Sequence, residues 1–80
     1  MEKNEIPPRL QDVFNRIFKD KSIQLSDLTS AKDIDGWDSF THLTLIQEIE
    51  NEFKIEFQMR ELMTMSNVGD MTRIIIGKFQ

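Results

Sequence analysis

The sequence contains no cysteine. That absence excludes a disulfide framework, a thiolate metal site and a cysteine nucleophile, and it agrees with a reducing compartment. Histidine occurs once, at His42, so a metal site is not expected either. Long hydrophobic runs are also missing. The longest aliphatic run is Ile74-Ile75-Ile76, far too short to span a bilayer. No apolar run stands behind Met1-Glu2-Lys3-Asn4-Glu5, so no signal peptide is expected. Positive charge is scarce: 10 Lys+Arg against 14 Asp+Glu give a net charge of −4. Such a balance argues against nucleic-acid binding, which needs basic neutralisation of phosphates. It leaves docking onto basic protein surfaces, and it also serves solubility. Neither an internal repeat nor a low-complexity tract is present.

Eighty residues make one domain, residues 1–80, near the lower end of what buries a self-sufficient core. They leave little room for a deep catalytic pocket. Pro7 and Pro8 suit a first helical turn. Leu10, Val13, Phe14, Ile17 and Phe18 follow at helical spacing, which predicts a helix from about Pro8 to Lys19. Asp20, Lys21 and Ser22 are expected to end it. Ile23 to Asp38 shows no sustained period and is rich in turn-formers, among them Ser26, Thr29, Ser30 and Gly36. Leu25, Leu28, Ile34 and Trp37 are expected to pin this long loop to the core. A second helix runs from Ser39 to Phe53, with Asp38 as its N-cap. Phe40, Leu43, Ile46, Ile49 and Phe53 form its apolar series, with Leu45 beside them. Thr41, His42, Thr44, Glu48 and Glu52 take the outward faces. Phe53, Leu43 and Ile46 are expected at the centre of the core. Ile55 and Phe57 fit an extended connector. Met59, Leu62 and Met63 fit a short third helix. Ser66 or Asn67 can cap a fourth, whose buried stripe is Val68, Met71, Ile75 and Phe79. The fold class is therefore all-α: a small up-and-down four-helix bundle, three main helices and one short one, with a long loop after the first.

Ser39 follows Asp35-Gly36-Trp37-Asp38 and stands where loop becomes helix. Free N–H groups and the positive end of the helix dipole favour an anionic group there. The serine can cap the helix or carry a phosphate ester. Other chemistry is less well supported. Asp33, Asp35 and Asp38, with Gly36 at the sixth position, outline a calcium loop from Ala31 to His42. The acid at its first position and the glutamate at its last are missing. His42 lies three residues after Ser39, so the two can be neighbours on one helix face. A Ser-His dyad also needs an orienting group and an oxyanion site, and the flanking glycines of a nucleophile elbow are absent. Met59, Met63, Met65 and Met71 read as flexible core filling.

Asp38-Ser39-Phe40, the apolar residues Leu43, Leu45, Ile46 and Ile49, then Glu50-Asn51-Glu52-Phe53 and Ile55, resemble the acyl carrier protein family. The resemblance covers essentially the whole chain, from helix one through the long loop to the closing helix. It implies that Ser39 carries 4′-phosphopantetheine, transferred from coenzyme A by a phosphopantetheinyl transferase, with Asp38 and Phe40 completing the attachment motif. The arm's thiol would carry acyl groups as thioesters, which explains thiol chemistry in a chain without cysteine. The protein would be a stand-alone, monomeric, cytoplasmic carrier with no catalysis of its own. Its partners would be the transferase, an acyl-loading ligase and acyl-processing enzymes with basic docking surfaces, meeting Asp38, Thr41, His42, Thr44, Glu48 and Glu52. The cargo would belong to fatty-acid, polyketide-like or other specialised biosynthesis. Phe40 replaces the commoner leucine, and Thr41 and Thr44 stand where acids are usual, so D-alanyl or aminoacyl carriage is an alternative. An unmodified acidic interaction module is another.

Overall fold

Four α-helices and two short 3₁₀ turns make up the described residues, and no β-strand occurs among them. The computed structural model describes residues 2–19 and 22–79. The expected helix terminators Asp20 and Lys21 lie outside the described residues, as do Met1 and Gln80. A 3₁₀ turn over Lys3–Glu5 leads into α1, Ile6–Phe18. α1 starts two residues before the expected Pro8, because Pro7 and Pro8 occupy its first turn, where no N–H is needed. It stops at Phe18, with Lys19 as a left-handed cap at φ 52°. The long loop contains one 3₁₀ turn, Ala31–Asp33. Then come α2 (Ser39–Phe53), α3 (Met59–Thr64) and α4 (Val68–Lys78). Ile55–Phe57 forms the extended connector expected of it.

α1 packs chiefly on α2 and, less extensively, on α4. The core joins Ile6, Leu10, Val13 and Phe14 of α1 with Leu45, Ile46, Ile49 and Phe53 of α2. Ile34 and Trp37 of the loop and Val68, Met71 and Ile75 of α4 complete it. Two members of the expected α2 series are not in it. Phe40 is 85% exposed and Leu43 69% exposed. A period of 3.6 centred on Ile46, Ile49 and Phe53 puts position 40 on the opposite face and position 43 on a flank. The same register turns His42 inward, so it is half-buried rather than outward-facing. Leu28, Met59 and Met63 are exposed as well, contrary to expectation for Leu28 as a loop anchor and for the methionines as core filling. Phe79, at the end of the α4 stripe, is partly exposed and meets the Phe53 ring edge-on at 6.5 Å.

The loop is held by hydrogen bonds at its start and at its middle. The Gln11 amide on α1 donates to Ile23 O at 2.7 Å and accepts from Leu25 N at 3.0 Å. The Val68 and Gly69 N–H groups at the start of α4 donate to Thr29 O and Asp27 O, each at 2.9 Å. These are first-turn donors that a helix cannot satisfy internally, so loop and helix complete each other. Asn67 caps the same turn, accepting from Asp70 N. Gly69 is required there, because a Cβ would meet Asp27 O at 2.9 Å.

Candidate functional site

The loop enters α2 through a tight, well-bonded turn. Gly36 takes φ +89°, a left-handed conformation that glycine adopts without strain. Its carbonyl accepts from Thr41 Oγ1 at 2.6 Å, which ties the turn to the first turn of the helix. Asp38 is the N-cap and accepts from Phe40 N and Thr41 N, both at 3.0 Å. Thr41 Oγ1 returns the bond by accepting from Asp38 N at 2.8 Å. The Asp38 carboxyl lies below its ordinary pKa, first because the Thr41 N–H stabilises the anion. Asp38 and Thr41 thus build the turn that presents Ser39.

Ser39 is exposed at the first position of α2. Its hydroxyl enters no hydrogen bond among the described residues. Other serines are engaged: Ser26 with Thr29, Ser30 with Asp33, Ser66 with Asp70, and Ser22 also has a partner. Beside Ser39 opens a cleft of about 550 Å³ between the start of α2 and the α3–α4 segment. Trp37, Leu43, Met65 and Met71 give it a mainly apolar lining, with Asp38, His42, Ser66 and Asn67 as its polar groups.

His42 does not form a dyad with Ser39. Its Nδ1 accepts from Trp37 Nε1 at 3.0 Å, and no bond joins it to the serine. The two rings lie side by side, centroids 6.0 Å apart and planes 16° apart. Trp37 in turn meets Phe14 edge-on at 5.2 Å. Burial lowers the His42 pKa, because a half-buried ring disfavours the imidazolium. The three loop aspartates do not converge. Asp33 caps the 3₁₀ turn through Ser30 and Asp38 caps α2, and no group of metal-ligating side chains gathers among the described residues.

The remaining residues expected at a partner surface divide into two sets. Thr44 is exposed, on the side of α2 that also shows Phe40 and Leu43. Glu48 and Glu52 lie on the flank toward α1. There Glu52 pairs with Arg16 at 3.2 Å and Arg9 at 3.5 Å, and Glu48 pairs with Arg16 at 3.8 Å. Sequence reasoning missed these arginines and the Trp37–His42 pair. His42 falls in register with Ile46, Ile49 and Phe53, which was the available signal for its burial.

Residues 9–75 match the family model described as the phosphopantetheine attachment site. The chain belongs to this family. It is also similar to the holo acyl carrier protein of Geobacter metallireducens, known from a solution NMR structure. The two share 41% identity over 91% of this chain and 84% of that one, with a TM-score of 0.87. Among curated proteins no sequence matches with significance. The carrier is thus an acyl carrier protein without catalysis of its own, and its cofactor is covalently attached 4′-phosphopantetheine. The residues around the start of α2 fit that group. An exposed, unpartnered hydroxyl is available for the ester, and an open, mainly apolar cleft lies alongside. Among the described residues no helix is long and apolar enough to cross a membrane.

Proposed function

We propose that Ser39 bears the arm and that this single-domain, monomeric carrier works in the cytoplasm for fatty-acid, polyketide-like or other specialised biosynthesis. The arm supplies a terminal thiol that holds acyl groups as thioesters. The protein's own residues do the rest. Asp38 and Thr41 lock the first turn of α2, so the Ser39 hydroxyl is presented from a rigid helix start rather than from a loose loop. The helix N-terminus favours the negative phosphodiester. Exposed Phe40, Leu43 and Thr44 flank the attachment point and form the surface an enzyme must cover to reach it. Asp38, Thr41 and His42 border that surface. Glu48 and Glu52 lie at its α1 edge, where Arg9 and Arg16 already offset part of their charge.

The observation that carries this reading is the Ser39 hydroxyl: exposed, unbonded, at the helix start, and within the family match. Incubation with a broad-specificity phosphopantetheinyl transferase and coenzyme A, followed by intact mass, tests it. The wild type gains one phosphopantetheine. Ser39→Ala stays folded and gains none. Modification of Ser39→Ala, or of any other serine in the wild type, would refute the assignment.

A further inference from the structure

His42 stands one turn beyond Ser39 on α2, and both side chains line the same cleft. Its ring is not free to choose a tautomer. An indole N–H can only donate, and Trp37 Nε1 donates to His42 Nδ1. Nδ1 is therefore the bare nitrogen, and in the neutral ring the proton sits on Nε2. No group among the described residues accepts from Nε2. The ring is held side by side with Trp37, its plane only 16° from the indole plane, and Trp37 is buried and wedged against Phe14 and Phe18. The result is an oriented donor with no partner, one turn from a hydroxyl with no partner. Nε2 stays open to solvent, so an acceptor arriving at the cleft meets a donor that is already oriented.

Other polar groups lining the cleft are less suited to that acceptor. Asp38 is an anion that accepts from the Phe40 and Thr41 N–H groups and repels a phosphate. The Ser66 hydroxyl is committed to Asp70 at 2.8 Å. Asn67 belongs to the far wall, where its Oδ1 caps α4.

We propose, building on the Ser39 reading, that His42 is an arm-binding residue whose Nε2–H donates to a phosphodiester oxygen on Ser39, with Trp37 as the positioning residue that selects this tautomer. The contact holds the root of the arm against the cleft and limits its swing. It also couples two states of the molecule. In the unmodified protein partial burial holds the His42 pKa below its ordinary value. In the modified protein the hydrogen-bonded anion lies about 4 Å from the ring charge, which at water-like screening raises the His42 pKa by roughly 0.7 of a unit. The charged groups nearest His42 do not blur this reading. Asp38, on α2, and Asp70, which reaches the opposite wall through Ser66 and is itself paired with Arg73, both have carboxyl pKa values below their ordinary range. Both stay ionised while His42 titrates.

The test uses the full chain in modified and unmodified forms, with intact mass confirming modification first. A phosphodiester does not titrate near neutrality, so its ³¹P resonance is a silent probe unless a titrating group touches it. The expected result is a ³¹P inflection at the His42 pKa. That pKa, followed by the ring ¹⁵N resonances, should rise by about 0.7 of a unit on modification. In His42→Gln the inflection disappears, although glutamine can still donate. In unmodified Trp37→Phe the ¹⁵N shifts of His42 move from a single Nε2–H tautomer toward a mixture. A fully modified protein with a flat ³¹P titration overturns the proposal, as does an inflection that persists in His42→Gln. A missing mass gain would instead refute the Ser39 reading itself, and this contact with it.

Discussion

Two apolar residues of α2, six positions apart, should respond oppositely to the same truncation. Ile49 is fully buried and Leu43 is 69% exposed. Ile49→Ala removes methylene groups from a site enclosed by α1, α2 and α4. Lost transfer energy and a residual cavity together cost roughly 2–5 kcal/mol. A domain of this size has about 5 kcal/mol in total, near the bottom of the usual range. Each kcal/mol lowers the melting temperature by about 4–8 °C in a domain this small, so Ile49→Ala should lose roughly 10–40 °C. Leu43→Ala removes atoms that are already in water and leaves no cavity. Its effect should stay within about 0.5 kcal/mol, a few degrees at most. Thermal melts followed by circular dichroism at 222 nm, with urea midpoints as a second measure, decide the matter. Equal destabilisation by the two substitutions would mean that the register of α2 is wrong and that its core face includes position 43.

Lowering the pH should weaken the fold through His42. Its folded pKa lies below the ordinary 6.5 because of burial, so between the two values the unfolded chain binds more protons. Stability therefore rises with pH across that window and levels off above about 6.5; urea midpoints from about pH 7.5 down to about pH 5.5 should show this slope, and His42→Gln should flatten it. Gly69→Ala should destabilise by about 1–3 kcal/mol, since its Cβ meets loop backbone rather than a side chain that can move; a melt unchanged from wild type would refute the close approach. Arg16→Glu places a fourth acid beside Asp12, Glu48 and Glu52; it should cost roughly 1 kcal/mol at low salt and less at high salt, and an effect independent of salt would show that packing, not charge, holds Arg16.

Local signals carried most of the fold. The α2 boundaries were readable because Asp38 is a strong N-cap and Lys54 ends a run of sustained period. The α4 cap was readable as Ser66 or Asn67, and Asn67 takes the position. What failed was choosing a face. In α2 the apolar residues cover more than half the circumference, so Phe40 and Leu43 extend the pattern without belonging to the core. Hydrophobicity alone does not distinguish a residue kept for packing from one kept for contact with a partner. Leu28 misled in the same way, because its neighbours Leu25 and Ile34 do turn inward. At the start of α2, the N-cap role of Asp38 and the first-turn position of Ser39 were legible from their order in the chain. The Trp37–His42 bond was not, since it joins a loop residue to a helix residue through a turn whose shape depends on Gly36. Gln11 was equally silent. An amide on a helix gives no sign in sequence that it will bracket two backbone groups of a distant loop.

The bonds from Val68 and Gly69 to the loop carbonyls have a consequence for how the molecule breathes. Those two amides can exchange their hydrogens with solvent only when residues 26–29 lift away, so the first turn of α4 and the loop tip share one opening event. Opening there would not disturb the α1–α2 packing, but it would free Ser66 and Asn67, which form one wall of the cleft. The floor of the cleft is thus as durable as the bundle. Its far wall lasts only as long as the loop stays latched to the first turn of α4, beside the capped start of α2.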